Sequence, residues 1–263
     1  MTQNLWNTIR WDERKECVRS FFRLYSPDII CLQEVRPELL SWIDESLPEY
    51  TRIRDPFIGW TNEGSIYYRK DLFTEVCHGE VFLDMPEPDR RLFWTRLKIA
   101  DGRTLFVSTV HLTWQGNADE VATGTTYRHR EAITIGESLK DLVLENEGAI
   151  VCGDFNDPLH PVETIKRITG MQEVFWILGQ IAPVTFPCSP PSDEINLVES
   201  IDKMMINDRL LSCSGRLVMW FVLFVLSVIS ITKSLYVIAC CGSIMSGRCQ
   251  RISDLQHSVC LTL

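Results

Sequence analysis

"GAIVCGDFNDP", residues 148–158, is the stretch that decides how this chain folds. An uncharged run climbs to Gly153, and Asp154, Asn156 and Asp157 then arrive within four residues. The run reads as a short buried strand, Ala149 to Cys152, closed by a turn built from Gly153, Asp, Asn and Pro158. A loop at the end of a buried strand is firmly held yet open to solvent, so polar side chains placed there can do chemistry. The same residues also suit a plain Asx turn, in which Asp and Asn bond only their own backbone. Both readings stand at this level.

Working outward, the chain alternates between the two hydrophobic periods. A helix is expected from about Tyr127 to Leu144, immediately before the opening stretch. Ahead of it, "RLFWTRLKIA" (91–100) and "RTLFVSTVHL" (103–112) read as strands joined by Asp101-Gly102, a strong hairpin signal. "EGSIYYRK" (63–70) is a further strand, and "DIICLQEV" (28–35) is a continuous apolar run that ends in polar residues. "WDERKECVRSFFRLYS" (11–26) repeats Val18, Phe21, Phe22 and Tyr25 at helical spacing, with Pro27 as its stop. Hairpins mixed with strand-helix-strand units call for mixed sheets in an α/β fold.

Composition divides the chain near residue 208. Residues 1–207 carry 21 Lys and Arg against 33 Asp and Glu, whereas 208–263 carry 5 against 2. The first part is long enough for one large α/β domain, and 45% apolar residues overall supply its core. The second is a hydrophobic, Cys-containing tail whose segment 217–240 approaches the roughly 20 apolar residues a membrane helix needs, with Lys233 snorkelling to the interface. A buried hairpin and a tail foreign to the fold are the alternatives. Of ten cysteines, Cys17, Cys31, Cys77, Cys152 and Cys188 precede residue 200 without a CxxC pair, which suits buried thiols in a reducing compartment. The N-terminus shows no apolar core of signal-peptide length. A cytoplasmic body, anchored by the tail if the tail spans a membrane, is the expected location.

The polar strand ends form a set. Asn4 in "NLWN", Glu34 in "LQEV", His111 in "STVHL", Asp154 and Asn156 in "GDFND", and Asp202 in "SIDKMMIN" each sit where an apolar run stops or starts. Taken singly, each has an ordinary structural explanation as a surface acid, a core histidine or a strand cap. Together, oxygen ligands suit a hard divalent cation, and an acid, an amide and an imidazole beside it suit attack on a phosphate ester.

These segments, in this order, resemble the endonuclease/exonuclease/phosphatase superfamily, the DNase I-like metal-dependent phosphodiesterases. The resemblance spans residue 2 to about 207 and rests mainly on "LQEV" and "GDFND". It implies a four-layered α/β sandwich, two mixed sheets with helices outside. It implies Mg²⁺ or Mn²⁺ at Glu34 with help from Asn4, Asp154 as the base for the attacking water, Asn156 positioning phosphate or nucleophile, and His111 donating to a phosphate oxygen. Two departures follow. The chain starts three residues before Asn4, and the family's closing Ser-Asp-His element, whose His would pair with Asp202, has only the ill-spaced "SDLQH" (253–257) as a counterpart. The last strand or strands are therefore expected to be missing from the 1–207 domain, which leaves an open sheet edge.

The expected substrate is a phosphodiester, in nucleic acid or in a phospholipid headgroup. A net charge of −12 over 1–207 excludes a broad sequence-independent grip on nucleic acid, although "DRRLFW" (89–94) and "YRHR" (127–130) offer a local basic groove or merely solvated charge. The hydrophobic tail fits a sphingomyelinase-like enzyme at a membrane. A truncated relative without activity is the alternative to both.

Overall fold

Alternation along the strands sorts this chain into layers. The computed structural model describes residues 1–186, 199–214, 235–236 and 260–262, the residues after 210 by their backbone alone. The first part contains β1 (Thr2–Asn4), α1 (Trp11–Tyr25), β2 (Ile29–Gln33), α2 (Pro37–Ser46), β3 (Tyr50–Arg52), α3 (Gly59–Asn62) and β4 (Ser65–Arg69). Next come β5 (Phe73–Val81), β6 (Leu92–Ile99), β7 (Thr104–His111), α4 (Ala118–Thr123), α5 (Tyr127–Leu142), β8 (Gly148–Asp154), α6 (His160–Thr169), β9 (Gln172–Glu173) and α7 (Val174–Ile177). The last elements are β10 (Asp202–Ile206), β11 (Leu211–Ser214), β12 (Leu235–Tyr236) and β13 (Cys260–Thr262).

Two mixed sheets result, ordered β1-β2-β4-β3 and β5-β6-β7-β8-β10-β9. In the first, β1 and β2 run parallel while β4 is antiparallel to both β2 and β3. In the second, β7 and β8 are the parallel pair. Odd and even positions then face different layers. Ile29 and Cys31 of β2, Leu105 and Val107 of β7, Ile150 and Cys152 of β8, and Met204 and Ile206 of β10 meet in one core between the sheets. Ile30 and Leu32 pack instead with Val18, Phe21 and Phe22 of α1 and Leu39 and Ile43 of α2. On the opposite side, Phe106, Val110, Ala149, Val151 and Met205 pack under Ala132, Ile135 and Leu139 of α5 and Val162 and Ile165 of α6. Helices, sheet, sheet, helices: this is the expected four-layered α/β sandwich.

Element boundaries shift in two informative places. Helix α5 stops at Leu142 and not at Leu144, because Val143 is already extended and Leu144 is exposed. Strand β8 runs beyond Ala149 to Cys152 to include Gly148, Gly153 and Asp154, since Asp154 still pairs across the ladder with His111 and Asp202. That extension needs a glycine at 153: φ is +140°, and a Cβ would stand 2.0 Å from the Val110 carbonyl oxygen. Cys31, Cys77 and Cys152 are free thiols. Cys31 and Cys152 meet across the two sheets, and their hydrogen bond, with burial, pushes the Cys31 thiol up.

Among the described residues β1 pairs with β2 alone. Strand β10 is covered on its far side by β9 at Met205 and Ile206. Strands β11, β13 and β12 form a separate three-stranded sheet. The hydrophobic segment 217–240 lies outside the described residues except for the backbone of β12, and "SDLQH" lies outside them as well. No described helix is long and apolar enough to cross a membrane.

Candidate active site

The parity that fills the inter-sheet core continues past its apolar end. On β8 the face of Ile150 and Cys152 goes on to Asp154, on β7 the face of Leu105 and Val107 goes on to His111, and on β10 Met204 is followed outward by Asp202. Register puts the three at one level, with His111 opposite Asp154 and Asp154 opposite Asp202. All three are buried. From the other sheet come Asn4 at the end of β1 and Glu34 just after β2. Strand parity thus carries Asp154, His111 and Asp202 to one end of the sandwich on the face of the inter-sheet core, while Glu34 reaches it by leaving the strand with φ +51°.

Two carboxylates converge here. The Asn4 amide donates through Nδ2 to Glu34 Oε1 at 2.9 Å and to Asp154 Oδ2 at 3.0 Å. Its orientation is fixed by the Trp6 N–H, which donates to Asn4 Oδ1 at 2.8 Å. In this arrangement Asn4 links the two acids through its nitrogen. Glu34 is further held by Asn7, whose Nδ2 donates to Oε2 at 3.1 Å and whose backbone N–H donates to the Glu34 carbonyl at 3.0 Å. Glu34 has φ +51°, a conformation that costs a non-glycine residue about 1 kcal/mol and is retained here by those bonds. Its side chain remains 18% exposed, which leaves a solvent path to the acid pair.

His111 faces that pair. Its Nδ1 lies 2.7 Å from Glu63 Oε2, so Nδ1–H donates to the carboxylate. Nε2 therefore points at Glu34 Oε1, 4.0 Å away, and Asp154 Oδ2, 3.7 Å away. Burial pushes the Glu63 carboxyl up, but the hydrogen bond and charge of His111, with Arg90 and Arg36 nearby, outweigh it and hold Glu63 below the usual carboxylate range. Those guanidiniums stand 3.9 and 3.5 Å from Glu63. Glu63 was not among the predicted site residues, although it opens the quoted "EGSIYYRK". Its signal was positional: it precedes β4, whose antiparallel pairing of Ser65 with Leu32 brings residue 63 beside the end of β2.

Asp154 and Asn156 form the Asx turn the sequence allowed, and Asp154 also reaches the cluster. The Asn156 N–H donates to Asp154 Oδ1 at 2.9 Å, an Asx turn, while Asp154 Oδ2 stays in the cluster. Asn156 Nδ2 donates to the Leu112 carbonyl at 2.8 Å, bracing the loop after β8 against the loop after β7. Asp157 caps the start of α6 through the Leu159 and His160 N–H groups.

Most arginines of the two basic stretches are engaged within the fold, while His129 lines a pocket with His160, Lys166 and Arg167. Arg128 is buried, 2.8 Å from Glu120 and 3.6 Å from Asp157, and donates to the Thr113 carbonyl. Arg90 donates to the Leu112 carbonyl and faces Glu63. Arg91 lies over the Phe57 and Phe82 rings, and Arg130 over Tyr127. Arg90, Arg91 and Arg128 fasten loops and rings and are not solvated charge, whereas Arg130 is half-exposed, as the solvated reading of "YRHR" expects.

The donor set fits a hard cation. Among the described residues no cluster of three or more His, Cys, Asp and Glu is assembled as a metal cage. Mg²⁺, however, is commonly held by one or two carboxylates plus water and substrate oxygens. Glu34 and Asp154 supply two such carboxylates, joined by one neutral amide, and His111 is the sole basic side chain within 4.0 Å of either among the described residues.

Solved structures share this architecture. D. rerio TDP2 complexed with single strand DNA product superposes with a TM-score of 0.66 at 18% identity, covering 81% of this chain and 88% of that one. A Bacteroides thetaiotaomicron mannosyl-6-phosphatase gives 0.64 at 21% identity, with 80% and 85% covered. An endonuclease/exonuclease/phosphatase from Bacteroides vulgatus gives 0.61 at 22%, with 80% and 87% covered. No curated protein sequence matches the chain. The likeness to these structures is one of fold. The sequence itself carries the assignment, for residues 1–224 match the Endonuclease/Exonuclease/phosphatase family, and the chain belongs to that family.

Proposed function

We propose that this chain is a divalent-metal-dependent hydrolase of phosphodiesters. The observation that carries the proposal is the convergence of Glu34, Asp154 and His111 within 4.0 Å, with the imidazole aimed by Glu63. Mg²⁺ or Mn²⁺, when bound by Glu34 and Asp154, would neutralise phosphate charge. The chain's own groups do the rest. Asp154, held at Oδ1 by the Asn156 N–H and at Oδ2 by Asn4, orients a water and takes its proton. His111, with Nδ1–H committed to Glu63, directs Nε2 at the reacting side and donates from there to a non-bridging phosphate oxygen as charge grows in the transition state. Asp202, in register with Asp154, adds negative charge that favours the cation.

A diester in single-stranded nucleic acid is the substrate proposed first, and the single strand DNA product in the D. rerio TDP2 structure supports that direction. A phospholipid headgroup is the second reading, favoured by the hydrophobic run at 217–240. Hydrolysis of methyl p-nitrophenyl phosphate tests the shared chemistry. Turnover should need Mg²⁺ or Mn²⁺, stop with EDTA, and fall about 10²- to 10⁴-fold in Asp154→Ala. Turnover that survives Asp154→Ala would refute the assignment.

A further inference from the structure

The loop after β7 is unusually well fastened, and then it exposes a tryptophan. Leu112 donates through its N–H to the Asp154 carbonyl at 2.9 Å, and its own carbonyl accepts from Asn156 Nδ2 at 2.8 Å and Arg90 Nη1 at 2.9 Å. Thr113 donates from N–H and Oγ1 to the two oxygens of Glu131, at 3.1 and 2.6 Å, and its carbonyl accepts from Arg128 Nη1 at 2.7 Å. Both residues are fully buried. The next residue, Trp114, is 55% exposed. Its carbonyl accepts from the Asn117 N–H at 3.1 Å, closing a turn. Within that turn the indole fills the space a Gly116 side chain would take, since a Cβ there would stand 2.1 Å from the ring. A rigid loop three residues past His111 therefore carries a large apolar ring whose place is set by the backbone beneath it.

An indole held this way is a stacking surface. Ordering it in advance spares binding the entropy cost of fixing that side chain. The chain also has a need for it: net charge is −9, and the arginines of both basic stretches near the site are engaged internally. Phosphate neutralisation, the usual source of affinity for nucleic acid, is therefore scarce. Base stacking is the remaining sequence-tolerant source.

We propose that Trp114 is a substrate-binding platform that stacks an unpaired nucleobase flanking the scissile phosphate. This rests on the phosphodiesterase reading above and adds to it a residue that binds the single-stranded substrate. The test is fluorescence anisotropy with the full chain in EDTA, using a labelled mixed-sequence single-stranded oligonucleotide and an abasic strand with the same number of phosphates. Wild type should bind the base-containing strand more tightly. Trp114→Ala should weaken that binding about 10-fold and leave the abasic strand unaffected. Trp114→Phe should keep most of the preference, and Gly116→Ala, which displaces the ring without removing it, should lose it. Equal binding by wild type and Trp114→Ala overturns the proposal, as does an equal loss on both strands, or a wild type that binds neither. Phosphatidylcholine–sphingomyelin vesicles form the control arm: loss of vesicle binding in Trp114→Ala with unchanged oligonucleotide binding would make the residue a lipid anchor and overturn it too. Turnover of methyl p-nitrophenyl phosphate by wild type is scored separately, so a failed hydrolase reading is distinguishable from a failed platform.

Discussion

Glu63→Gln isolates what the buried carboxylate does for His111. Gln keeps the size of Glu and can still accept from Nδ1–H, so the 2.7 Å contact survives while its charge is lost. A hydrogen bond to a charged partner contributes about 1.5–3 kcal/mol net and a neutral one about 0.5–1.5, so the difference is about 1.4 kcal/mol, or tenfold. That loss should appear in kcat on methyl p-nitrophenyl phosphate with KM little changed, because Glu63 touches the imidazole and not the substrate. Stability should fall too, since Arg36 and Arg90 would then face a neutral amide at 3.5 and 3.9 Å. The pH dependence has a definite sign. Glu63 titrates below its unfolded value, so its stabilising contribution is fully present above about pH 4.5 and is lost as pH falls through the lower folded value. The stability gap between wild type and Glu63→Gln should therefore be widest near neutrality and shrink in acid. Unchanged kcat with an unchanged pH–rate profile would refute the positioning role, and a loss of kcat that merely tracks the folded fraction would reduce Glu63 to a structural acid.

Two further outcomes are expected. Glu34→Gln should weaken Mg²⁺ or Mn²⁺ binding by at least about tenfold in titration calorimetry, because one of two convergent carboxylates is gone; equal binding by the variant would remove the metal assignment. Gly153→Ala should destabilise the fold by about 3 kcal/mol, a fall of roughly 10 °C in thermal midpoint, since φ is +140° and the new Cβ would meet the Val110 carbonyl oxygen; a midpoint within about 2 °C of wild type would contradict that backbone geometry.

What could be read from the sequence was what strand parity encodes. Cys152 faces the inter-sheet core, so Asp154 two residues later must face the same way, and the same step leads from Val107 through Thr109 to His111. Glu34 does not follow from parity, since Leu32 two residues earlier packs against α1 and α2 and Glu34 turns back with φ +51°. The helical face of Val18, Phe21 and Phe22, and the Asp101-Gly102 hairpin, were equally local signals, and the structure contains both. Helices α2 and α6 went unread, as did β5. After the buried Phe73, the β5 segment "FTEVCHGEV" has only half-buried and exposed positions, so period 2 carries little contrast there.

The residues that sequence reading could not place are those whose partners are remote along the chain. Glu63 meets His111 across 48 residues, and Arg128 reaches back to Thr113 from the first turn of α5. Nothing in "YRHR" tells a solvated arginine from a buried one, because the deciding groups, Glu120 and Asp157, lie on α4 and on the loop after β8. Their effect is collective. Arg128, Arg90, Glu131 and Asn156 together bond the backbone of Leu112 and Thr113 and tie it to the loop after β8. Burying such charges is tolerable only because each is paired or hydrogen-bonded, so the network fixes geometry more than it stabilises the fold. The strand ends bring the polar side chains together, and these long-range arginine and glutamate contacts tie the loops that follow β7 and β8, and so keep His111, Asp154 and Trp114 in fixed relation.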